Sequence, residues 1–432
     1  MDREIKKVAL LGANGNMGYG SGALFTRSDC EVTFLARSAE KAQAGLDSAK
    51  KQVRSVSVGS KASVGSYDDN LEQACKDADI IFEAVAENMA IKNEMFDKVD
   101  KYRRPDSIVA TVSSGLDISK LAENRSDSFK KHFLGLHYFN PPNVIVGTEI
   151  IPGEHTDPGI VDFLIDWCTK SQNRVMVKTA NTPGFAGNRI GFKVLNEAAQ
   201  LAEEYGSVYI DYLVGRYTGR AMPPLATIDL VGFDVHKAIV DNVVENVPEG
   251  ADEAIETYKL PAYMQKLIDQ GILGMKTRGG FFKRVDRVPH YLDFATGEYK
   301  ESSSIKLPKL DFMEKMKTMH RIGRYEQAMK TFASAEGDEA KLAQKVIAGY
   351  ISYSFHRAGE ITETITGIDM IMGTGFNWAP PSVLVDLIGV KETVQMMDKC
   401  EIPVPASLKE ADPKQKFFNE QNVNLGKFFV AK

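Results

Sequence analysis

Cysteine is scarce in this chain: four residues among 432, Cys30, Cys75, Cys168 and Cys400. They lie far apart without CxxC spacing, which excludes a disulfide framework and a cysteine-based metal site and reads as reduced cytosolic thiols. Long apolar runs are absent too. No stretch approaches the ~18 uninterrupted apolar residues that a membrane-spanning helix needs. Positive charge is not in excess, with 53 Lys and Arg against 58 Asp and Glu and a net charge of −5. Such a chain has no global field to draw in nucleic acid, so any phosphate binding must be local. The opening Met1-Asp2-Arg3-Glu4-Ile5-Lys6-Lys7 runs straight into an apolar strand and leaves no room for a signal peptide. The expected setting is cytoplasmic. What remains is an ordinary globular composition, 43% hydrophobic and 26% charged. The length suits about three domains at roughly 150 residues each.

The first part of the chain alternates two patterns. Short apolar runs at Val8–Leu11, Val32–Leu35, Ile80–Val85 and Ile108–Val112 read as buried strands. Helical stretches at Tyr19–Arg27, Ala39–Val53 and Ala90–Val99 separate them. Alternation of this kind predicts βαβ units and a parallel sheet with helices on both faces, a Rossmann-type doubly wound fold.

Between the first strand and first helix lies Gly12-Ala13-Asn14-Gly15-Asn16-Met17-Gly18. A strand, a tight glycine turn and a helix N-terminus gather free backbone N–H groups at the positive end of a dipole, where a pyrophosphate fits. Gly12 would allow the turn, Gly15 the close approach of phosphate, and Gly18 the packing of helix on strand. The spacing GxxGxxG is one residue longer than the usual fingerprint. Because it opens the first βαβ unit, the loop is assigned to a dinucleotide. At the end of the second strand an acid would select NAD by bonding the ribose 2′-hydroxyl. Here the sequence is Ala36-Arg37-Ser38. A guanidinium and a hydroxyl stand where a 2′-phosphate would lie, which suggests NADP.

His137, followed by Tyr138-Phe139-Asn140-Pro141-Pro142, lies twelve residues before Glu149. Two short strands joined by a turn would bring the two side chains together. A carboxylate behind an imidazole fixes its tautomer and stabilises its protonated form, which suits a general base that removes an alcohol proton. His132 reads as structural.

In its motifs and their order the chain resembles the L-3-hydroxyacyl-CoA dehydrogenases. The match runs through Glu83-Ala84-Val85-Ala86-Glu87-Asn88, Lys92, Ser113-Ser114, Gly135-Leu136-His137-Tyr138-Phe139-Asn140-Pro141 and Glu149. It continues through Asn181-Thr182-Pro183-Gly184-Phe185-Ala186-Gly187-Asn188-Arg189, Leu195-Asn196-Glu197-Ala198 and Gly271 to Phe282. The resemblance implies that His137 is the catalytic base and Glu149 its orienting partner. It implies that Ser113 and Asn188 hydrogen-bond the reacting oxygen and the thioester carbonyl, and that Glu87, Lys92, Ser113, Asn140 and Lys276 contact the nicotinamide end of the cofactor. Gly12, Asn14, Gly15, Asn16, Met17, Gly18, Arg37 and Ser38 would bind the rest of it. The family default is NAD, so the cofactor is expected as NAD(P)(H), with no metal. The acyl-CoA substrate carries three phosphates, for which Lys50, Lys51 and Arg54 could supply local cations. The extra residue in the glycine loop and the missing acid at Ala36 both depart from the family pattern. So does Thr111-Val112-Ser113-Ser114-Gly115-Leu116, which has an added glycine and lacks the preceding Asn.

The second half repeats itself. Ile210-Asp211, Gly215, Pro223-Pro224, Asp229-Leu230 and Gly232 recur as Ile368-Asp369, Gly373, Pro380-Pro381, Asp386-Leu387 and Gly389. This is a duplicated helical domain. The expected organisation is a Rossmann domain over 1–182, a helical domain over 183–283, a linker or irregular connection over 284–339, and a second, structural helical copy over 340–432. Single-copy members of the family pair as homodimers through this domain, so a second copy in one chain favours a monomer. No enoyl-CoA hydratase domain is expected. Two other readings stay open: a dinucleotide-binding sensor or structural protein, and a β-hydroxyacid dehydrogenase acting on a free acid.

Overall fold

A computed structural model describes residues 4–53, 57–418 and 424–429, so Arg54 lies outside the described residues. Two units emerge. The first comprises Met1–Ala186 with Ile361–Glu363, and the second Gly187–Glu360 with Thr364–Lys432.

In the first unit eight strands form one sheet: β1 (Lys7–Leu11), β2 (Glu31–Ala36), β3 (Ala62–Ser66), β4 (Ile80–Glu83), β5 (Ile108–Thr111), β6 (Phe133–Tyr138), β7 (Gly147–Pro152) and β8 (Val175–Lys178). Their order is β3-β2-β1-β4-β5-β6-β7-β8. The strands from β3 to β6 pair in parallel, and β7 runs antiparallel to β6. Period-two alternation explains the two-sided core. Along β1, Val8 and Leu10 enter one apolar cluster while Ala9 and Leu11 enter another. The sequence reading omits β3. Its Ala62-Ser63-Val64-Gly65-Ser66 has little apolar signal, because β3 is an edge strand with one covered flank.

The second unit is helical and internally repeated. Asp211 accepts from the Leu225 and Ala226 N–H groups at 2.8 and 3.1 Å, and Asp369 accepts from the Ser382 N–H at 2.9 Å. Asp229 accepts from Phe281 and Phe282, each at 2.7 Å, and Asp386 from Phe417 and Phe418 at 2.9 and 3.2 Å. The same carboxylates therefore tie the same turns in both copies. The stretch 284–339 is not an irregular connection. Strands β9 (Phe282–Val285), β10 (Val288–Asp293) and β11 (Glu298–Glu301) form an antiparallel sheet in order β11-β10-β9, and helices Asp311–Arg321 and Tyr325–Ala333 follow. The small sheet buries few of its side chains, so lysine, arginine and glutamate hide its strand pattern in the sequence.

Candidate active site

The glycine loop joins β1 to helix α1 (Asn16–Arg27). Gly12 has φ +80°, and a Cβ on it would lie 2.2 Å from the Ala84 carbonyl oxygen. A Cβ on Gly18 would lie 2.1 Å from the Gly12 carbonyl oxygen. Both positions therefore exclude any side chain. Gly15 differs: its nearest neighbour is 3.5 Å away, so nothing inside the protein demands glycine there. Gly15 is the N-cap of α1 and gives no side-chain cap. The first-turn N–H groups of Asn16, Met17 and Gly18 have no carbonyl to meet within the helix. This is an anion cradle, open at the one glycine whose Cβ would intrude on a guest, and it fits a dinucleotide pyrophosphate. Asn14 and Asn16 are exposed on its rim. Two further residues build it. The Tyr67 hydroxyl accepts from the Gly12 N–H at 2.9 Å, and a Cβ on Gly45 of helix α2 (Ala39–Val53) would lie 2.2 Å from the Ala13 carbonyl oxygen. Neither carries a local motif that could have announced it.

Arg37 is exposed just beyond β2, after buried Ala36. Ser38 also has a structural task, since its Oγ accepts from the Lys41 N–H at 3.4 Å at the start of α2. Lys50 and Lys51 lie in the last turn of α2, Lys50 with its Nζ 4.0 Å from Asp47.

A buried ionic network lies at the C-terminal ends of β4 and β5. Glu83 ends the otherwise apolar β4, and Lys92 comes from the helix Met89–Tyr102, whose N-cap is Asn88. Lys92 Nζ donates to both carboxylate oxygens of Glu83 at 2.8 Å and lies 3.4 Å from Glu87. The Thr111 hydroxyl donates to Glu83 at 2.5 Å. Lys92 is fully buried, enclosed by carboxylates, and stands behind Glu87, whose side chain is 43% exposed. Glu83 was missed as a site residue, although a lone acid ending the apolar run Ile80-Ile81-Phe82 is a legible signal. Ser113 is buried and donates to Glu87 at 2.6 Å, while the Ser114 N–H donates to the same oxygen at 2.8 Å.

His137 lies on fully buried β6, directly opposite Glu149 on β7. The Nδ1–Oε2 separation is 2.6 Å. The Ala186 N–H donates to the other carboxylate oxygen at 3.0 Å. The Phe139 and Phe185 rings lie 4.9 and 5.9 Å from the imidazole. With Nδ1 on the carboxylate, Nε2 is the nitrogen that can meet a ligand. The loop after β6 is held by Arg174, whose Nη1 donates to the carbonyls of Pro142 and Ile145 at 2.8 and 2.7 Å, leaving Asn140 exposed. His132 bonds the Ser128 carbonyl at 2.8 Å.

Two expected site residues belong to the second unit. Asn188 is buried in the first turn of the helix Gly187–Tyr205. Lys276, on a short 3₁₀ turn, is ion-paired with Asp234. Among the described residues no His, Cys, Asp and Glu cluster could hold a metal, and no helix is long and apolar enough to cross a membrane.

Residues 7–182 match the description "3-hydroxyacyl-CoA dehydrogenase, NAD binding domain", and residues 184–284 match the C-terminal domain of the same family. A Deinococcus radiodurans protein named "Probable 3-hydroxyacyl-CoA dehydrogenase" is 30% identical over 295 residues, 65% of this chain and 83% of the relative. The chain belongs to the 3-hydroxyacyl-CoA dehydrogenase family. A Bacillus subtilis relative of the same name is 30% identical over 439 residues, 95% of this chain and 54% of the relative. This chain therefore spans only about half the length of that family member. A solved structure of 3-hydroxybutyryl-CoA dehydrogenase from Escherichia coli shares the fold, with a TM-score of 0.68 at 18% identity over 96% of this chain and 97% of that one. The first unit thus corresponds to the family's NAD-binding domain, which takes a nicotinamide cofactor.

Proposed function

We propose that this protein is an NAD(P)-dependent 3-hydroxyacyl-CoA dehydrogenase that moves a hydride between C3 of a (3S)-3-hydroxyacyl-CoA and its 3-ketoacyl-CoA, in fatty-acid β-oxidation or its reverse. The observation that carries this reading is His137 Nδ1 on the buried Glu149 carboxylate at 2.6 Å. The nicotinamide, when bound, accepts or gives the hydride. His137 Nε2 takes the C3 hydroxyl proton as the C3–H bond breaks and the carbonyl forms, and Glu149 stabilises the resulting imidazolium. In the reducing direction the same proton returns. Asn188 donates to the substrate's reacting oxygen or thioester carbonyl, which binds the polarised form more tightly than the ground state. The Ser113 hydroxyl proton is held by Glu87, so Ser113 serves the substrate once the exposed Glu87 turns away. The closed network Glu83–Lys92–Glu87 sets where that carboxylate returns.

Asn140 and Lys276 are assigned to the nicotinamide end, and Lys50 and Lys51 to the coenzyme A phosphates. For the cofactor we favour NADP, because Arg37 stands exposed after buried Ala36 with no acid at the strand end. A monomer is favoured, since the second helical copy pairs with the first inside one chain through the Arg220–Trp378 bridge. A cytoplasmic setting is supported by four buried free thiols.

The test is reduction of 3-ketoacyl-CoAs, beginning with acetoacetyl-CoA, with NADPH and NADH in parallel. Turnover is expected, faster with NADPH. Turnover mainly with NADH would make Arg37 a surface residue and keep the dehydrogenase. No turnover with short or long acyl chains, despite cofactor binding, would overturn the reading.

A further inference from the structure

The helix that carries Asn188 is gripped at its first turn by the second helical copy. Arg189, the next residue, is 1% exposed and donates from Nη2 and Nε to the same oxygen of Asp252, at 2.6 and 3.1 Å. Tyr353, on the helix Asp338–Arg357 of the second copy, closes the triangle. Its hydroxyl donates to that Asp252 oxygen at 2.6 Å and accepts from Arg189 Nε at 2.7 Å. From the other side the Tyr258 hydroxyl donates to the Arg189 main-chain carbonyl. One turn after Tyr353, Arg357 lies over the Tyr353 ring at 5.4 Å and pairs with Glu360 at 2.8 Å.

Stability alone does not account for this arrangement. A buried ion pair contributes little compared with apolar residues of the same volume, because desolvation offsets its attraction. What a fully partnered buried network does supply is a single geometry. Burial alone would raise the Asp252 carboxyl; the Tyr353 hydroxyl and the Arg189 guanidinium hold it below the ordinary carboxylate range. Asp252 thus stays charged, and every bond in the triangle is charge-assisted. Both the side chain and the carbonyl of Arg189 are fixed, so the backbone on which Asn188 sits is fixed with them. A donor aimed at a developing charge must be held within about 0.5 Å of its working position.

We propose that Tyr353 and Asp252 are positioning residues for Asn188. The second helical copy, beyond covering apolar surface, then sets the geometry of a donor in the reaction. This rests on the reading of Asn188 as a substrate contact.

The test is a double-mutant cycle on the full chain with Tyr353→Phe and Asn188→Ala, measuring kcat, KM for acetoacetyl-CoA and Kd for the cofactor that the wild type uses. Tyr353→Phe should lower kcat roughly ten- to a hundredfold, with KM changed less and cofactor Kd unchanged. In the Asn188→Ala background it should add nothing, since both act through one group. Equal losses in the two backgrounds, no loss in the first, or a loss matched by the fraction of unfolded enzyme would overturn the proposal. If Tyr353→Phe does not fold, Tyr258→Phe, which removes the bond to the Arg189 carbonyl and the 3.0 Å hydrogen bond with the Tyr353 hydroxyl but leaves the bonds to Asp252, is read in the same cycle. An inactive wild type would instead overturn the dehydrogenase reading, and this proposal with it.

Discussion

Arg220 and Trp378 stand 158 residues apart in sequence and form an antiparallel bridge, with the guanidinium 4.7 Å from the Trp378 ring. Asp211 and Asp369 are separated by the same interval. The two copies therefore meet at equivalent positions, as two subunits do about a two-fold axis. One copy supplies the cation and the other the aromatic face. The Tyr350 ring, edge-to-face with Trp378 at 6.0 Å, lies 4.9 Å from the same guanidinium, and burial pushes the guanidinium down to about 10.

This contact makes an asymmetric prediction. Trp378 is 1% exposed, so Trp378→Ala should cost about 3–5 kcal/mol by opening a cavity. Arg220 leaves Nε and Nη2 without hydrogen-bond partners among the described residues, so Arg220→Met should shift stability by less than about 1.5 kcal/mol. Urea denaturation of both variants checks this; a larger loss for Arg220→Met would show that the cation–π contact dominates.

At the candidate catalytic pair, His137→Asn should lower kcat by about 10²–10⁴-fold and leave cofactor binding intact. Glu149→Gln keeps the cross-strand register but removes the charge that stabilises the imidazolium, so it should lose less than His137→Asn while moving in the same direction. Fluorescence titration of the reduced cofactor, beside steady-state rates, separates the two effects. Unchanged turnover in His137→Asn would sink the mechanism.

Lys92→Met should be among the most destabilising single changes in the first unit. It strands the fully buried Glu83 carboxylate, at a cost of about 3–5 kcal/mol. The double variant Glu83→Gln with Lys92→Met should recover much of that loss. Thermal unfolding of the single and double variants decides it, and equal midpoints for the two would show that the pair is not coupled.

Two histidines in the helical unit link stability to pH. Burial pushes His236 down to about 3 and His320 down to about 4. The His320 ring is packed by Tyr325 and Phe429 at 5.7 and 5.0 Å and has no hydrogen-bond partner among the described residues. Below about pH 6.5 the unfolded imidazole binds a proton that the folded one refuses, so each histidine removes stability as pH falls from about 6.5. Asp211 and Asp229, pushed up to about 7 by burial, run in the opposite sense. The histidine effect is therefore read as a difference. His320→Leu should gain on the wild type by about 1–2 kcal/mol between pH 7 and pH 5. A constant difference across that range would refute the assignment.

The buried strands were legible because full burial writes itself as unbroken apolar runs, as at Ile80-Ile81-Phe82 and Ile108-Val109-Ala110. Edge strand β3 and the sheet of β9, β10 and β11 were not, because half-covered strands keep polar side chains. His137 and Glu149 could be paired in advance, since twelve residues are enough for two short strands and a turn. The enclosure of Lys92 behind Glu87 could not, because nothing in a helix sequence tells a buried lysine from a solvated one.

The sequence by itself determined the doubly wound first half, the glycine cradle, the His137–Glu149 pair and the duplication, all of which depend on local spacing and side-chain pattern. Only the tertiary structure decided which ends of those patterns meet. Arg189 finds Asp252 and Tyr353 across 63 and 164 residues, and Arg220 finds Trp378 across the join of the copies. Such contacts follow from how buried faces pack, and that packing fixes distances that no local pattern encodes.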